Sequence, residues 1–161
     1  MLMIGNGRLV TRDSEHPFYE DGAVVLEGNT IKKVGTTQEL RQEFADAEFV
    51  DAKGGVIMPA FVNTHEHIYS AMARGLSIKG YNPNGFLEIL DGMWWTIDRH
   101  LTLEQTRQSA RATYLDSIKN GVTTVFDHHA SFGEIQDSLF AIEDAANRKD
   151  RKSGSAGMPR P

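Results

Sequence analysis

The feature that most constrains the fold is a pair of apolar, β-branched runs that both end in histidines. GVIMPAFVNTH (residues 55–65) leads into the sequence HEH (65–67), and VTTVF (122–126) leads into DHH (127–129). The first run is apolar on both faces, which is typical of a parallel strand covered on both sides. Both runs are therefore predicted to be strands that carry polar side chains at their carboxyl ends.

A helix is predicted between these two strands. Thr102 followed by Gln105 is a capping-box start, and Asn120-Gly121 closes the helix. The apolar stripe of this helix comprises Leu103, Thr106, Ala110, Tyr114 and Ile118. Strand, helix, glycine and strand make a βαβ unit, so the chain contains a parallel α/β segment. The spacing also predicts helices over 86–97 and 131–147.

The segment before this unit reads as a small β-sheet. Two short runs surround a turn at Gly28-Asn29, which is a hairpin signal, and a polar helix is predicted over 36–45. We therefore divide the chain into a β part at 1–57 and an α/β part at 58–146. Residues 147–161 are dense in Arg, Lys, Ser, Gly and Pro, which predicts a tail that is either disordered or the product of a frameshift.

Composition excludes several classes of function. The net charge of −5 and the pI near 5.6 argue against nucleic acid or a membrane surface as a partner. No cysteine is present, so any metal must be bound by nitrogen and oxygen ligands. No signal peptide and no apolar run of spanning length are found, and a cytoplasmic location is expected.

The His65-Glu66-His67 motif is the strongest candidate site. In a strand, side chains i and i+2 point to the same side, so the two imidazoles face one way and Glu66 faces the other. Two adjacent imidazoles can bind one divalent cation at the carboxyl end of a parallel strand, where α/β proteins place active sites. The alternative is that both rings are hydrogen-bonded to backbone in a loop.

The stretch GGVIMPAFVNTHEHIYSAMARG resembles the first metal motif of the amidohydrolase superfamily, P-G-x-x-x-x-H-x-H. Further similarity lies in DAEFVDAKGGVIMP, ARGLSIKGYNP and IKNGVTTVFDHHAS, and the resemblance covers residues 1–146. It points to the branch with chlorohydrolases, guanine deaminase and the SsnA-type aminohydrolases associated with selenium metabolism. One departure is Ala60, where the family has glycine, because alanine does not easily adopt a positive φ.

The resemblance implies the first two strand-helix units of a (β/α)₈ TIM-type barrel and the N-terminal part of a composite β-sandwich. It makes His65 and His67 ligands of a divalent metal, with Zn²⁺ expected and Fe²⁺ as an alternative. Further ligands and the acid/base residues come from later strands, which are expected to lie beyond the end of this chain. The catalytic residues are therefore unknown.

The function implied is metal-dependent hydrolysis of a carbon–nitrogen bond in a small molecule, of the aminohydrolase or deaminase type. This chain is expected to be a truncated and inactive form, and a homo-oligomer of the full-length form is left open. The alternatives are a non-catalytic metal-binding module and a fragment that complements another chain.

Four further residues are candidates for substrate binding. His128 and His129 follow the second strand, and alternation lets only one of them face inward. Trp94 could stack on a flat ring, although its spacing favours a core position. Arg74 could hold an anionic group or close a helix.

Overall fold

The computed structural model describes residues 1–147, which fall into two compact units, Met1–Pro59 and residues 60–147. The sequence predicts the boundary between the two units after residue 57, whereas the first unit of the structure ends at Pro59. Apart from Asn147, the predicted tail at 147–161 lies outside the described residues. Within the described part of the chain, no helix has both the length and the apolar character needed to cross a membrane.

The first unit is built on a five-stranded sheet with the order β3-β2-β1-β4, in which β5 also pairs with β1. The strands are β1 (Leu2–Val10), β2 (Phe18–Glu27), β3 (Thr30–Thr36), β4 (Glu48–Asp51) and β5 (Val56–Ile57). β2 is antiparallel to β1 and β3, whereas β4 and β5 run parallel to β1. The predicted hairpin is confirmed: Gly28 takes a positive φ of 59° in the turn between β2 and β3.

The core of this unit lies between the sheet and helix α1 (Thr37–Glu43). The predicted helix is confirmed, and it begins with a capping box between Thr36 and Glu39. The buried side chains of this core are Met3, Ala23, Val25 and Leu40. Phe44, Ala47 and Phe49 pack against them.

The second unit contains a two-stranded parallel sheet of β6 (Phe61–Glu66) and β7 (Val122–Asp127). A 3₁₀ segment (Ile68–Ala73) follows β6. The remaining helical elements are α2 (Phe86–Ile89), a π-helical turn (Leu90–Trp94), α3 (Trp95–His100), α4 (Leu103–Lys119) and α5 (Ser138–Asn147). The predicted βαβ unit is confirmed as β6-α4-β7.

Helix α4 links the two strands and supplies most of the packing in this unit. Its predicted capping box between Thr102 and Gln105 is present. Ala110 is fully buried and forms a core with Ile68 and Ile142. The predicted stripe is only partly correct, because Ile118 at its end is 67% exposed.

The first histidine-bearing strand differs from its prediction in two ways. The single run over 55–65 is divided into β5 and β6 by Met58–Ala60, since Pro59 has no amide hydrogen to donate to a ladder. Phe61 and Val62 are 55% and 52% exposed, so this strand is not covered on both sides by the described residues. Ala60 does not adopt a positive φ, and the backbone therefore does not need the glycine usual in the family.

The two other helix predictions are corrected. The helix over 86–97 contains the π-helical turn, and Phe86 at its start is 72% exposed. The helix over 131–147 begins only at Ser138. Before it, the Gly133 amide donates to the Asp98 carbonyl, and a Cβ at Gly133 would lie 2.5 Å from the Arg99 oxygen. Asp137, directly before Ser138, takes a positive φ of 66°, which is incompatible with a continuous right-handed helix over 131–147.

Candidate functional site

The two histidines of the HEH motif bring their ring nitrogens together at the end of β6. The Nε2 atoms of His65 and His67 are 3.0 Å apart, and the ring centroids are separated by 5.0 Å at an interplanar angle of 65°. The shared orientation follows from the two-residue period of an extended chain. The pair is accessible, since His65 is exposed and His67 is half-buried.

A hydrogen bond that the His67 ring donates to the chain just after β7 fixes the tautomer of His67. Its Nδ1 lies 2.9 Å from the main-chain oxygen of His128. A carbonyl oxygen only accepts hydrogen bonds, so Nδ1 carries the hydrogen and Nε2 keeps its lone pair. Metal-binding histidines in proteins commonly have this arrangement, in which the second ring nitrogen donates to a carbonyl or carboxylate.

The two nitrogens fit a divalent ion. Lone pairs 3.0 Å apart repel unless a proton or a cation lies between them. Tetrahedral coordination with Zn–N distances of about 2.0 to 2.1 Å requires nitrogens about 3.3 Å apart, close to the observed separation. Within residues 1–147, no three or more His, Asp or Glu side chains are grouped to hold a metal. The described residues thus offer two imidazole ligands.

The structure separates the adjacent histidines that follow β7. The His128 ring centroid is 5.2 Å from that of His67 and 6.4 Å from that of His65. The His129 ring instead lies 2.9 Å, through Nε2, from the Ser138 hydroxyl oxygen. Only His128 therefore has its ring beside the HEH pair.

The surroundings of His129 define its tautomer. The Ser138 hydroxyl donates its single hydrogen to the Ile135 carbonyl, so His129 Nε2 must be the donor to Ser138. Its Nδ1 has no hydrogen-bond partner among residues 1–147 and lies 3.8 Å from Asp127 Oδ2. Burial lowers the pKa of His129 despite the nearby carboxylates of Asp127 and Asp98.

Sequence analysis missed a buried polar pair beside these histidines. Asp98 in α3 is only 4% exposed, and its Oδ1 has no hydrogen-bond partner in the part of the chain that the structure describes. Burial raises the pKa of Asp98, and a hydrogen bond from Tyr69 opposes that rise. The pKa of Tyr69 is also raised, by burial and by Asp98. The available signal was a single acidic residue within the apolar helix sequence MWWTIDRH.

A cleft of about 520 Å³ is lined by both HEH histidines together with Trp94 and Arg74. Trp94 is predicted either to stack on a substrate ring or to lie in the core. In the structure its side chain is half-buried. Arg74 pairs with Asp116 at 2.9 Å, and both side chains are exposed, at 69% and 47%. An anion at Arg74 would therefore have to compete with an existing partner.

Glu66, predicted to face away from the two histidines, forms a side-chain hydrogen bond within β6. It lines the same cleft as the two histidines, and its Oε2 accepts a hydrogen bond of 2.7 Å from Asn63. The register between β6 and β7 is irregular from Asn63 to Glu66.

Comparison with known proteins identifies the family. The model of the amidohydrolase family matches residues 56–150, which include the βαβ unit and the HEH motif. The chain belongs to the amidohydrolase family. The resemblance found in the sequence is thereby confirmed at the family level.

Curated relatives of this amidohydrolase chain are named as deaminases. It is 25% identical over 157 residues to 5-methylthioadenosine/S-adenosylhomocysteine deaminase of Pelotomaculum thermopropionicum, covering 98% of this chain and 35% of that protein. It is 30% identical over 134 residues to 5'-deoxyadenosine deaminase of Methanococcoides burtonii, covering 83% and 29%. The chain thus spans about a third of the length of these relatives.

Solved structures give a matching result for the fold. A mutant of atrazine chlorohydrolase TrzN from Arthrobacter aurescens, complexed with zinc and atraton, aligns with a TM-score of 0.74 at 26% identity. The alignment covers 91% of this chain and 33% of TrzN. Guanine deaminase from E. coli aligns with a TM-score of 0.70 at 23% identity, covering 91% and 34%, and shows the fold alone. The mixed α/β fold class is therefore supported.

Proposed function

We propose that His65 and His67 bind a divalent metal ion in a hydrolase that acts on carbon–nitrogen bonds. One observation carries the proposal: the two Nε2 atoms converge at 3.0 Å, and the hydrogen bond from His67 Nδ1 leaves its Nε2 lone pair available. Zn²⁺ is the expected ion because imidazole nitrogen is among its preferred ligands, with Fe²⁺ as the alternative.

The chain's own residues would bind and orient the ion. His67 is held through the His128 carbonyl, while the exposed His65 can adjust its ring. A bound Zn²⁺ supplies Lewis acidity toward water and toward the bond that is hydrolysed. A catalytic zinc site takes three protein ligands, and residues 1–147 offer two. We therefore propose that these residues bind the ion but do not support turnover by themselves.

The proposed substrate is a small molecule with a hydrolysable carbon–nitrogen bond. The deaminase names of the relatives support this class, and the zinc in the TrzN structure supports the metal. The parallel β6-α4-β7 unit is compatible with the start of a (β/α)₈ barrel, and the sheet of the first unit is compatible with part of a β-sandwich. His128 and Trp94 remain proposed substrate contacts because both lie beside the pair or its cleft.

The metal proposal is tested by titrating tag-free chain with Zn²⁺ in a calorimeter. We expect one site per chain and a loss of affinity of at least about tenfold in H65A and in H67A, because each change removes a ligand. H100A is the matched control, since His100 donates from Nδ1 to the Thr96 carbonyl and lies outside the motif. Equal Zn²⁺ affinity in the parent chain, H65A and H67A would contradict the proposal.

A non-catalytic metal-binding module is the second candidate, because only two ligands are present in the described residues. An assay of ammonia release from adenine nucleosides and guanine shows whether this chain, without any other protein, is a catalyst or only a metal-binding module. We expect none from the 161-residue chain with Zn²⁺. Release that depends on Zn²⁺ and disappears in H65A would show that the ligand set is already sufficient for catalysis.

A further inference from the structure

Three hydrogen bonds tie the backbone and ring of His67 to the end of β7. The His128 amide donates to the Glu66 carbonyl at 2.7 Å, directly before His67. The Ile68 amide, directly after it, donates to Asp127 Oδ1 at 3.0 Å. The ring itself donates from Nδ1 to the His128 carbonyl at 2.9 Å. The backbone is thus fixed on both sides of His67, and the imidazole itself is fixed through Nδ1.

The contact to Ile68 has a specific structural role. Ile68 is the first residue of the 3₁₀ segment, and His67, in the capping position, makes no side-chain capping hydrogen bond. The first amides of a helix need an acceptor from elsewhere. Asp127 supplies that acceptor from the neighbouring strand and fixes the direction in which the chain leaves β6.

We propose that Asp127 is a positioning residue that holds His67 with Nδ1 on the His128 carbonyl and Nε2 toward His65. Asp127 acts through the backbone: it fixes Ile68, while the adjoining His128 supplies the oxygen for the ring. The relevance to metal binding rests on the function proposed above for the two histidines. The geometry of His67 itself does not depend on that function.

The two carboxylate oxygens of Asp127 have different environments, so substitutions can test the hydrogen bond and the charge separately. Oδ1 is the acceptor for Ile68, whereas Oδ2 lies 3.8 Å from His129 Nδ1, which accepts no hydrogen bond from the described residues. D127N keeps an oxygen for Ile68 and places an amide NH₂ toward the His129 lone pair. D127A removes the acceptor altogether. The two variants therefore separate the hydrogen bond from the charge.

The first test measures tautomers in the metal-free chain by long-range ¹H–¹⁵N correlation at pH 8, where ordinary imidazoles are neutral. We expect the Nδ1–H form for His67 in the parent chain and in D127N, and a mixture of tautomers in D127A. The control is D46A, which removes one exposed carboxylate in the first unit. An unchanged His67 tautomer in folded D127A would overturn the positioning role.

The second test measures Zn²⁺ affinity in the same variants. Loss of an outer-shell partner costs about 10- to 100-fold in metal affinity, and we expect that loss in D127A. D127N and D46A should remain close to the parent chain. A loss in D127N as large as that in D127A would show that the charge acts rather than the hydrogen bond, and would contradict the inference.

The two tests distinguish failure of this inference from failure of the proposed function. If the parent chain binds no Zn²⁺ while D127A still alters the His67 tautomer, the positioning role stands and the metal function is wrong. If D127A does not fold, hydrogen exchange of the Ile68 amide is measured in the parent chain and in D127N instead. Both should protect the Ile68 amide against hydrogen exchange, and rapid exchange of that amide in the parent chain would overturn the inference.

Discussion

The two units of this chain use apolar residues in different ways. In the first unit, β2 buries Ala23, Val24 and Val25 in succession, and helix α1 adds Leu40 to the same core. In the second unit, Phe61 and Val62 at the start of β6 are more than half exposed. An apolar run is therefore buried only where the described residues provide a layer to cover it.

The units also differ in where their polar groups lie. The second unit places histidine and aspartate side chains at the carboxyl ends of two parallel strands and keeps Asp98 buried behind them. The first unit buries Thr37 beside its core, where the hydroxyl donates to Asp21 and contacts the Gly22 carbonyl. Among the described residues, the buried side-chain atoms without a hydrogen-bond partner all lie in the second unit, and they include Asp98 Oδ1 and His129 Nδ1.

The largest expected effect comes from removing a core side chain of the first unit. Leu40 is 1% exposed, so L40A should lower the free energy of unfolding by about 2 to 5 kcal/mol. F140A in α5 is the contrast, because Phe140 is 67% exposed and its removal should cost about 0.5 kcal/mol or less. Urea unfolding followed by circular dichroism measures both. A larger loss in F140A than in L40A would contradict the difference in burial.

A smaller effect is expected at the close backbone contact of the second unit. G133A should lower the free energy of unfolding by about 1 to 3 kcal/mol, because the new methyl group would overlap the Arg99 carbonyl. G85A is the control, since a Cβ there meets no atom within 4 Å. Equal urea midpoints for the two variants would show that the loop before α5 relaxes without cost.

The smallest effect is the pH dependence that His129 contributes to the stability of the second unit. The lowered pKa of His129, which faces Asp127, Asp98 and Tyr69, means that the folded state disfavours its protonation. Its contribution to stability is present above the ordinary histidine pKa of about 6.5 and is lost as pH falls through the lowered value. H129Q should therefore flatten the acid side of the stability profile, while H100A should not. Parallel profiles for H129Q and the parent chain would contradict this assignment.

Local signals in the sequence predicted much of the fold. The hairpin at Gly28, the helix near residues 36–45, the capping box at Thr102 and the parallel βαβ unit are predicted from patterns in the sequence, and all are present. The break before β6 was missed, although Pro59 signals it, because the apolar run was interpreted as continuous. The late start of α5 follows a positive φ at Asp137, which the apolar spacing of the sequence does not indicate.

The candidate site is predicted only in part, because some of its features depend on contacts between residues that are distant in sequence. The convergence of His65 and His67 follows from strand periodicity. Other features depend on strand register and on packing between distant segments. They are the hydrogen bond to the His128 carbonyl, the burial of Asp98 and the position of Glu66. Family membership is established by the comparisons, whereas the roles of Trp94 and Arg74 in substrate binding remain predictions.

The most direct measurement of the central claim is the zinc K-edge X-ray absorption spectrum of the chain loaded with one equivalent of Zn²⁺. We predict scattering from two imidazole rings per zinc, which decreases in H65A and in H67A and is unchanged in H100A. A spectrum without imidazole scattering, or one that the combined H65A and H67A substitutions leave unaltered, would contradict the account.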